Sequence, residues 1–445
     1  MKSISILKMT PPQILLFGFL LIISIGTFLL SLPLAVQEGR SLGFLDALFT
    51  ATSAACVTGL IVVDTGTHYS IFGQVVILIL MQVGGLGFMT MASWFAILLR
   101  KKITLRDRLI LKESMNQASM EGLVRLIRRV ILYSITIEGI AALYFAIRWS
   151  FEMPVGKAIY FGIFHAVSIF NNAGFELFGD FRNMTPYVDD WGINIVSIAL
   201  IFLGGIGFIV LSDLIEYPNT HKLSLHSKVV LSVSSILIVV GALVFFIFEF
   251  VNMKTFGPLS WDTKIIASFF QSANLRSGGT NTVDIASLRE GTQFFMIILM
   301  FIGAAPGSTG GGIKVTTFAI LIAAVVTMIR GKEDVVLFRY RLGKDSIYRA
   351  TTITLIAIFI LVSATMLLST TEDHHFLMLL FEATSAFGTV GLSMGLTQDL
   401  TPIGKVIIIL MMFLGRLGTL TLAYALQSTN KKELYRHPEG KITIG

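Results

Sequence analysis

Four stretches of this 445-residue chain share a spacing that suits one kind of chemistry. They read FTATSAACVTG (49–59), FHAVSIFNNAG (164–174), FFQSANLRSGG (269–279) and FEATSAFGTVG (381–391). Each opens on phenylalanine and closes on glycine ten residues later. The closing glycines, Gly59, Gly174, Gly279 and Gly391, lie 115, 105 and 112 residues apart. The residues just before them differ: Val57 and Thr58, Asn172 and Ala173, Ser277 and Gly278, Thr389 and Val390. What the four share is backbone, and backbone offers carbonyl oxygens. A ring of carbonyls that replaces an ion's hydration shell is how a cation filter works. Glycine admits the dihedrals that turn a carbonyl inward. These twelve residues are therefore candidate filter residues, with a cation held at their carbonyls. Close helix packing is the plainer use of glycine in a membrane; four copies in register favour a shared role.

A second echo follows each loop by 24 to 30 residues: GGLGF (84–88), GGIGF (204–208), GAAPG (303–307) and GRLG (415–418). The third continues as GAAPGSTGGGIK, with five glycines and a proline in 303–312. Such a sequence cannot hold a helix, so the long apolar segment 292–329 must break in two around a loop. Its place in the unit puts that loop just below the third filter segment. Gly307, Ser308, Thr309, Gly310, Gly311 and Gly312 are candidate gate residues, with Lys314 at their end. A phosphate-binding P-loop needs G-x-x-x-x-G-K-[ST], and here Gly312 is followed by Ile313 and Lys314 by Val315. Arg416 stands in an otherwise apolar helix, and a charge at that depth is a functional candidate. It could pair with the gate loop, raise a barrier to cations, or form an ion pair with Glu138; Lys314 is open in the same way. Asp46 and Glu382 read as structural or headgroup-level groups.

These loops need elements to carry them. With 54% hydrophobic and 14% charged residues, and a mean hydropathy of +0.80, the chain is an integral membrane protein. Spans of about 20 apolar residues are expected at 13–36, 71–99, 127–150, 192–214, 228–250, 292–329, 350–370 and 402–427. Between the members of each pair lies a segment too short to cross: 42–54, 155–169, 261–273 and 374–386. The expectation is an all-α fold of four helix, pore-loop, helix repeats around one pseudo-fourfold pore. The repeats are placed at 1–122, 123–222, 223–345 and 346–429, with a tail at 430–445. Internal repetition of this kind dictates a fold.

Charge orients the chain. Segments 100–129, 217–228 and 330–349 and the two ends hold 23 of the 34 Lys and Arg. The positive-inside rule then puts both termini in the cytoplasm and the re-entrant loops outside. The basic segments either dock an acidic regulatory surface or mark only the inner face. One cysteine, Cys56, excludes an internal disulfide and reads as a small buried residue. The seven histidines are scattered, and neither paired acids nor an ATP-hydrolysis motif appears, so an enzyme or primary pump is not expected. A sodium-coupled or sodium-selective carrier is the alternative, but carriers show two halves where this chain shows four same-sense units. Asn183 begins a glycosylation sequon, a weak signal.

The repetition and the strings CVTGL, NNAGF, FQSANLRSGG and APGSTGGGIK resemble the Trk/Ktr/HKT potassium transporters, over about 13–428. The resemblance implies potassium uptake across a bacterial cytoplasmic membrane, with K+ at the carbonyls of the four loops. It implies a homodimer and a cytosolic ring of nucleotide-binding KtrA-type regulatory subunits, with no cofactor in this chain. It supports a gating role for the loop at 307–312. In plant relatives a serine at the first filter glycine goes with sodium preference, so Gly59 favours potassium. Thr280 departs from the family pattern, where an apolar residue is expected.

Overall fold

The computed structural model describes residues 10–98, 109–110 and 123–418. The termini and most of the basic 100–129 segment lie outside the described residues, as does the end of the 402–427 span. The first unit runs α1 (Pro11–Leu30), α2 (Phe44–Ala55), α3 (Ile71–Leu86) and α4 (Phe88–Leu98). The second runs α5 (Leu123–Trp149), α6 (Val155–Phe170), α7 (Trp191–Gly205) and α8 (Phe208–Thr220). The third runs α9 (Leu225–Glu249), α10 (Trp261–Asn274), α11 (Glu290–Phe301) and α12 (Val315–Ile329). A short hairpin, β1 (Val336–Leu337) and β2 (Tyr340–Arg341), leads to α13 (Lys344–Thr371), α14 (Phe376–Gly388) and α15 (Pro402–Leu417).

Each first helix, α1, α5, α9 or α13, is long and apolar enough to cross a membrane. Their outer faces carry large apolar side chains in the open, such as Ile140, Leu143 and Ile247. That surface suits lipid and not water. The pore helices α2, α6, α10 and α14 have 12 to 16 residues and cannot cross. They are apolar or small on most faces, and in α2 Ala47 and Phe49 through Ala55 are buried. A helix of that kind belongs inside a bundle. Polar caps start the helices that face water: Ser70, Asp190, Ser260 and Thr401 accept a backbone N–H, and proline opens α1 and α15.

The units close on themselves. Each pore helix packs on its own first helix: α2 on α1, α6 on α5, α10 on α9, α14 on α13. The second helix of each unit packs on the pore helix of the next, α3 on α6, α7 on α10 and α11 on α14. The last contact, α15 on α2, joins the fourth unit to the first and completes a ring.

Two expectations needed correction. The spans at 71–99 and 192–214 are not single helices. The first breaks at Gly87 and the second at Gly207, where α7 and α8 meet at 105°. Both glycines, and Gly418 at the end of α15, have φ between 82 and 88°, which a residue with a Cβ resists. The second helices of the first three units are thus interrupted, only the third by a long loop, and α15 ends at Leu417, next to the last described residue. Phe269 opens the third stretch but is not its buried phenylalanine. It is 38% exposed, whereas Phe270 is fully buried beside the other three phenylalanines' places, so the third pore helix is offset by one residue.

The first glycine packs closely on a pore helix in three of the four clusters. A Cβ on Gly84, Gly204 or Gly415 would strike the carbonyl of Ala55, Phe170 or Phe387, each at a pore helix's C-terminal end. Gly204→Val should therefore lower the thermal unfolding midpoint of the detergent-purified chain, by the equivalent of about 1–3 kcal/mol for an overpacked site. Gly139→Val should not, since a Cβ there meets nothing within 4 Å.

Candidate functional site

Where the four pore helices end, the chain adopts the same conformation four times. Val57 and Gly59 have φ of 56 and 93°, Asn172 and Gly174 of 57 and 70°, Ser277 and Gly279 of 78 and 71°, Thr389 and Gly391 of 48 and 86°. In an extended strand successive carbonyls alternate sides. Turning every second residue left-handed brings them to one side instead. The cost is real, because Val57 and Thr389 are β-branched and residues of that kind avoid positive φ. Strain held this way needs surrounding structure that over-determines it, and it concentrates at functional sites.

The four glycines meet in chain order. A Cβ on Gly59 would strike the Ala173 carbonyl, and one on Gly174 would lie 2.6 Å from the Gly279 Cα. A Cβ on Gly279 would lie 3.0 Å from the Val390 carbonyl, and one on Gly391 would strike the Thr58 carbonyl. Nothing larger than glycine fits this circle. Thr58 Oγ1 and both polar atoms of the Asn172 carboxamide are buried here without a hydrogen bond inside the protein. Buried polar atoms of that kind are satisfied by water or ions.

A polar side chain behind each strand fixes it. Ser53 Oγ accepts from the Gly59 amide at 3.0 Å, and Ser385 Oγ accepts from the Gly391 amide at 3.1 Å. Ser168 Oγ donates to the Phe175 carbonyl at 2.7 Å. In the third unit Asn274 takes this place, and its Oδ1 accepts from the Thr280 amide at 3.0 Å and its hydroxyl at 3.4 Å. Thr280 is thus the partner of an asparagine, which gives its departure from the family pattern a physical reason. The sequence reading missed these four residues. The signal was there: each lies four positions after the buried phenylalanine, once Phe270 replaces Phe269.

The glycine-rich loop between α11 and α12 lies against one side of this ring and bonds the second, third and fourth units. It starts and ends in a paired ladder, with Gly303 N–H donating to Ile313 O at 2.8 Å. Thr309 and Phe208 amides tie it to the second unit, through Gly204 O and Gly307 O at 3.2 and 3.0 Å. Arg276 Nη2 donates to Gly303 O at 2.9 Å from the third pore loop. Gly311 N–H donates to Thr389 Oγ1 at 2.8 Å, and Ser277 Oγ donates to Thr389 O. Lys314 Nζ turns back on its own loop, to Gly310 O at 2.8 Å. Ser308 Oγ closes a turn on Ala305 O at 2.6 Å.

Arg416 takes the first of its three alternatives. Its guanidinium donates to the Thr309 carbonyl of the loop and, at 2.5 and 3.0 Å, to the Gly84 and Gly85 carbonyls of α3. Glu138 instead accepts from Gln82 Nε2 and Asn171 Nδ2, each at 3.1 Å, behind the second pore helix. Glu382 accepts from the Ser393 and Thr397 hydroxyls, and Asp46 pairs with Lys405 at 2.6 Å, so both serve structure. Cys56 is a buried free thiol.

On the other side of the ring a cavity of about 280 Å3 is lined by Gly59, Gly174, Gly391, Asn281, Glu176 and Asp284, among others. Two carboxyls at its wall favour cations. Burial, and then the Asp64 carboxylate nearby, push the Glu176 carboxyl up to about 7.

Removing a supporting hydroxyl leaves a buried amide unpaired, at about 1–3 kcal/mol. Ser385→Ala should therefore loosen the fourth strand and reduce discrimination among monovalent cations in an ion-flux assay, with the folded chain still recovered. Ser287→Ala, whose hydroxyl bonds only Asp284 at the exposed rim, should leave discrimination unchanged.

The comparisons with known proteins agree with this architecture. The family model of the TrkH cation transport proteins matches residues 9–433. The chain is 43% identical to the Ktr system potassium uptake protein B of Bacillus subtilis, covering all of this chain and 99% of that one. It is 38% identical to the Vibrio alginolyticus protein of the same name, over 98% of this chain and 95% of that one. It is also 38% identical to the potassium/sodium uptake protein NtpJ of Enterococcus hirae, over 98% of each. The crystal structure of the potassium transporter TrkH from Vibrio parahaemolyticus shares the fold, at a TM-score of 0.71 and 18% identity over 93% of this chain and 85% of that one. A ring of four fused helix, pore-loop, helix repeats in a multi-pass membrane chain, matched over its whole length, makes this protein a member of the TrkH cation transport family.

Proposed function

We propose that the chain is the membrane subunit of a Ktr-type potassium uptake system. K+ sheds its water into the carbonyls of Val57–Gly59, Asn172–Gly174, Ser277–Gly279 and Thr389–Gly391. It then moves down its electrochemical gradient. One observation carries the reading: the alternation of left-handed residues repeats in all four strands of a closed ring. Backbone bent this way at membrane depth, with side chains that differ from strand to strand, suits carbonyl coordination. The names of the Bacillus and Vibrio relatives, both potassium uptake proteins, support the ion.

The loop from Gly307 to Gly312 acts as the gate, with Lys314 and Arg416 as its charged anchors. It lies across the path below the ring, and two cations there raise a barrier to a third. The four units are divided at 122, 222 and 345, and the tail at 430–445 is cytosolic. Positive-inside charge supports a cytoplasmic-membrane protein with both termini in the cytosol. The protein works as a homodimer on a cytosolic KtrA-type ring that binds nucleotides. The name Ktr system in two relatives supports further subunits. A sodium-selective or sodium-coupled reading has one observation in its favour, the printed name of the Enterococcus relative. Gly59 in place of serine speaks for potassium.

Potassium-limited growth and rubidium uptake test this in cells stripped of their own potassium uptake, with the cytosolic regulator co-expressed. The unmodified chain should rescue growth. Gly59→Ser places a Cβ against the Ala173 carbonyl at φ 93° and should abolish the preference for potassium over sodium. Unchanged selectivity in that variant would mean the ring is packing.

The gate has its own test. Valine is tolerated at the matching place in the first strand, Val57, so Thr389→Val should fold while losing the acceptor of the Gly311 amide. A hydrogen bond worth about 1 kcal/mol shifts an equilibrium roughly fivefold. Rubidium flux without the regulator should rise by about that factor, and flux that stays flat would remove the loop from the gating role.

A further inference from the structure

Between α9 and α12 lies a second cavity, of about 570 Å3, that neither the ring nor the loop uses. Its walls are Val233, Ile236 and Leu237 on one helix and Phe318, Ile322 and Val326 on the other. Ile236, Ile322 and Val326 are exposed, so the groove opens sideways, toward the surface that faces lipid. The β1–β2 hairpin closes one end through Val336, Leu337 and Phe338. From Phe318 to Arg330 the groove follows about 18 Å of helix, close to the depth of one leaflet of a hydrocarbon core about 30 Å thick.

The rim at the hairpin end is charged. Arg330 and Lys332 line it, both exposed, and neither has an ion pair among the described residues. The acid that lines it, Asp334, is already engaged by Arg341 at 3.1 Å, and exposed Glu333 is not part of the lining, which leaves two cations there against no free acid. The unpaired charge at the mouth of an acyl-sized groove is thus positive. We propose that this groove binds one anionic phospholipid, with an acyl chain between α9 and α12 and the headgroup phosphate at Arg330 and Lys332. Basic pockets between spans are where such headgroups bind. A second copy of the chain fits less well, because it would take two unpaired cations out of solvent with nothing opposite them.

The test is native mass spectrometry of the full chain, purified in detergent and equilibrated with equal amounts of phosphatidylglycerol and phosphatidylcholine. The unmodified chain should retain one phosphatidylglycerol with a several-fold preference. Arg330→Gln with Lys332→Gln should reduce that preference to near parity while keeping one lipid bound. Ala323→Trp, which fills the groove wall, should expel both. Equal retention of the two lipids by the unmodified chain would overturn the proposal, as would a preference that survives the double substitution. If Ala323→Trp changes the ratio of monomer to dimer without losing lipid, the groove is an interface between copies. The readout is bound mass, so it stands whether or not the chain moves potassium.

Discussion

Backbone that leaves the helix at membrane depth must find its hydrogen bonds in protein or in a wet cavity, and this fold is organised around that demand. Four pore helices stop short of crossing, and each leaves amides and carbonyls without helical partners. The structure answers with packing on three sides. The parent helix covers one side, the second helix of the preceding unit a second, and, in all but the third unit, its own second helix the third. The ring follows from this. A pore helix with its own unit alone would leave one flank to lipid, and only closure of α15 on α2 covers all four flanks. The hydroxyls of Ser53 and Ser385 and the amide of Asn274 do the same at shorter range.

Arg416 obeys the same constraint from the other direction. A guanidinium in a membrane usually implies a carboxylate, and Glu138 was the natural candidate in the sequence. The structure gives it carbonyls instead. The breaks at Gly87 and in the 303–314 loop free carbonyl oxygens at Gly84, Gly85 and Thr309, and the planar fork of Arg416 reaches all three. Arginine is the side chain with enough fixed donors to satisfy several carbonyls from different units at once. The charge and the broken backbone therefore stabilise each other, which explains how Arg416 stands deep in an apolar helix with backbone carbonyls as its partners.

Much of this was legible in the sequence, and the reason is length. A membrane fixes how many residues cross, so the short segments at 42–54, 155–169, 261–273 and 374–386 match α2, α6, α10 and α14 within two residues at either end. The glycine at the close of each loop was legible because positive φ leaves few other choices. The breaks at Gly87 and Gly207 were hidden, since GGLGF and GGIGF interrupt apolar runs long enough to cross unbroken. Hydropathy does not register a φ of 82 or 88°. The one-residue offset in the third unit was hidden too, because Phe269 and Phe270 are adjacent and spacing cannot choose between them. Only burial does, and the pairing of Asn274 with Thr280 then follows.

The fusion of four units into one chain matters most below the ring, where the units stop being alike. A ring of identical subunits would bring four copies of any loop to the same place beneath it. Here a single long loop, from the third unit, occupies that place, and a single arginine, from the fourth, holds it. The other breaks are reduced to a glycine or two, as at Gly87 and Gly207. The same asymmetry reaches the strands. Of the four residues at the start of the candidate filter, Val57, Asn172, Ser277 and Thr389, the threonine accepts the Gly311 amide of the loop and the Ser277 hydroxyl lies 3.1 Å from it. Divergent side chains behind a common backbone are therefore no loosening of the repeat. They leave the four strands one backbone conformation while Thr389, bonded in turn by Ser277, also holds the loop beneath.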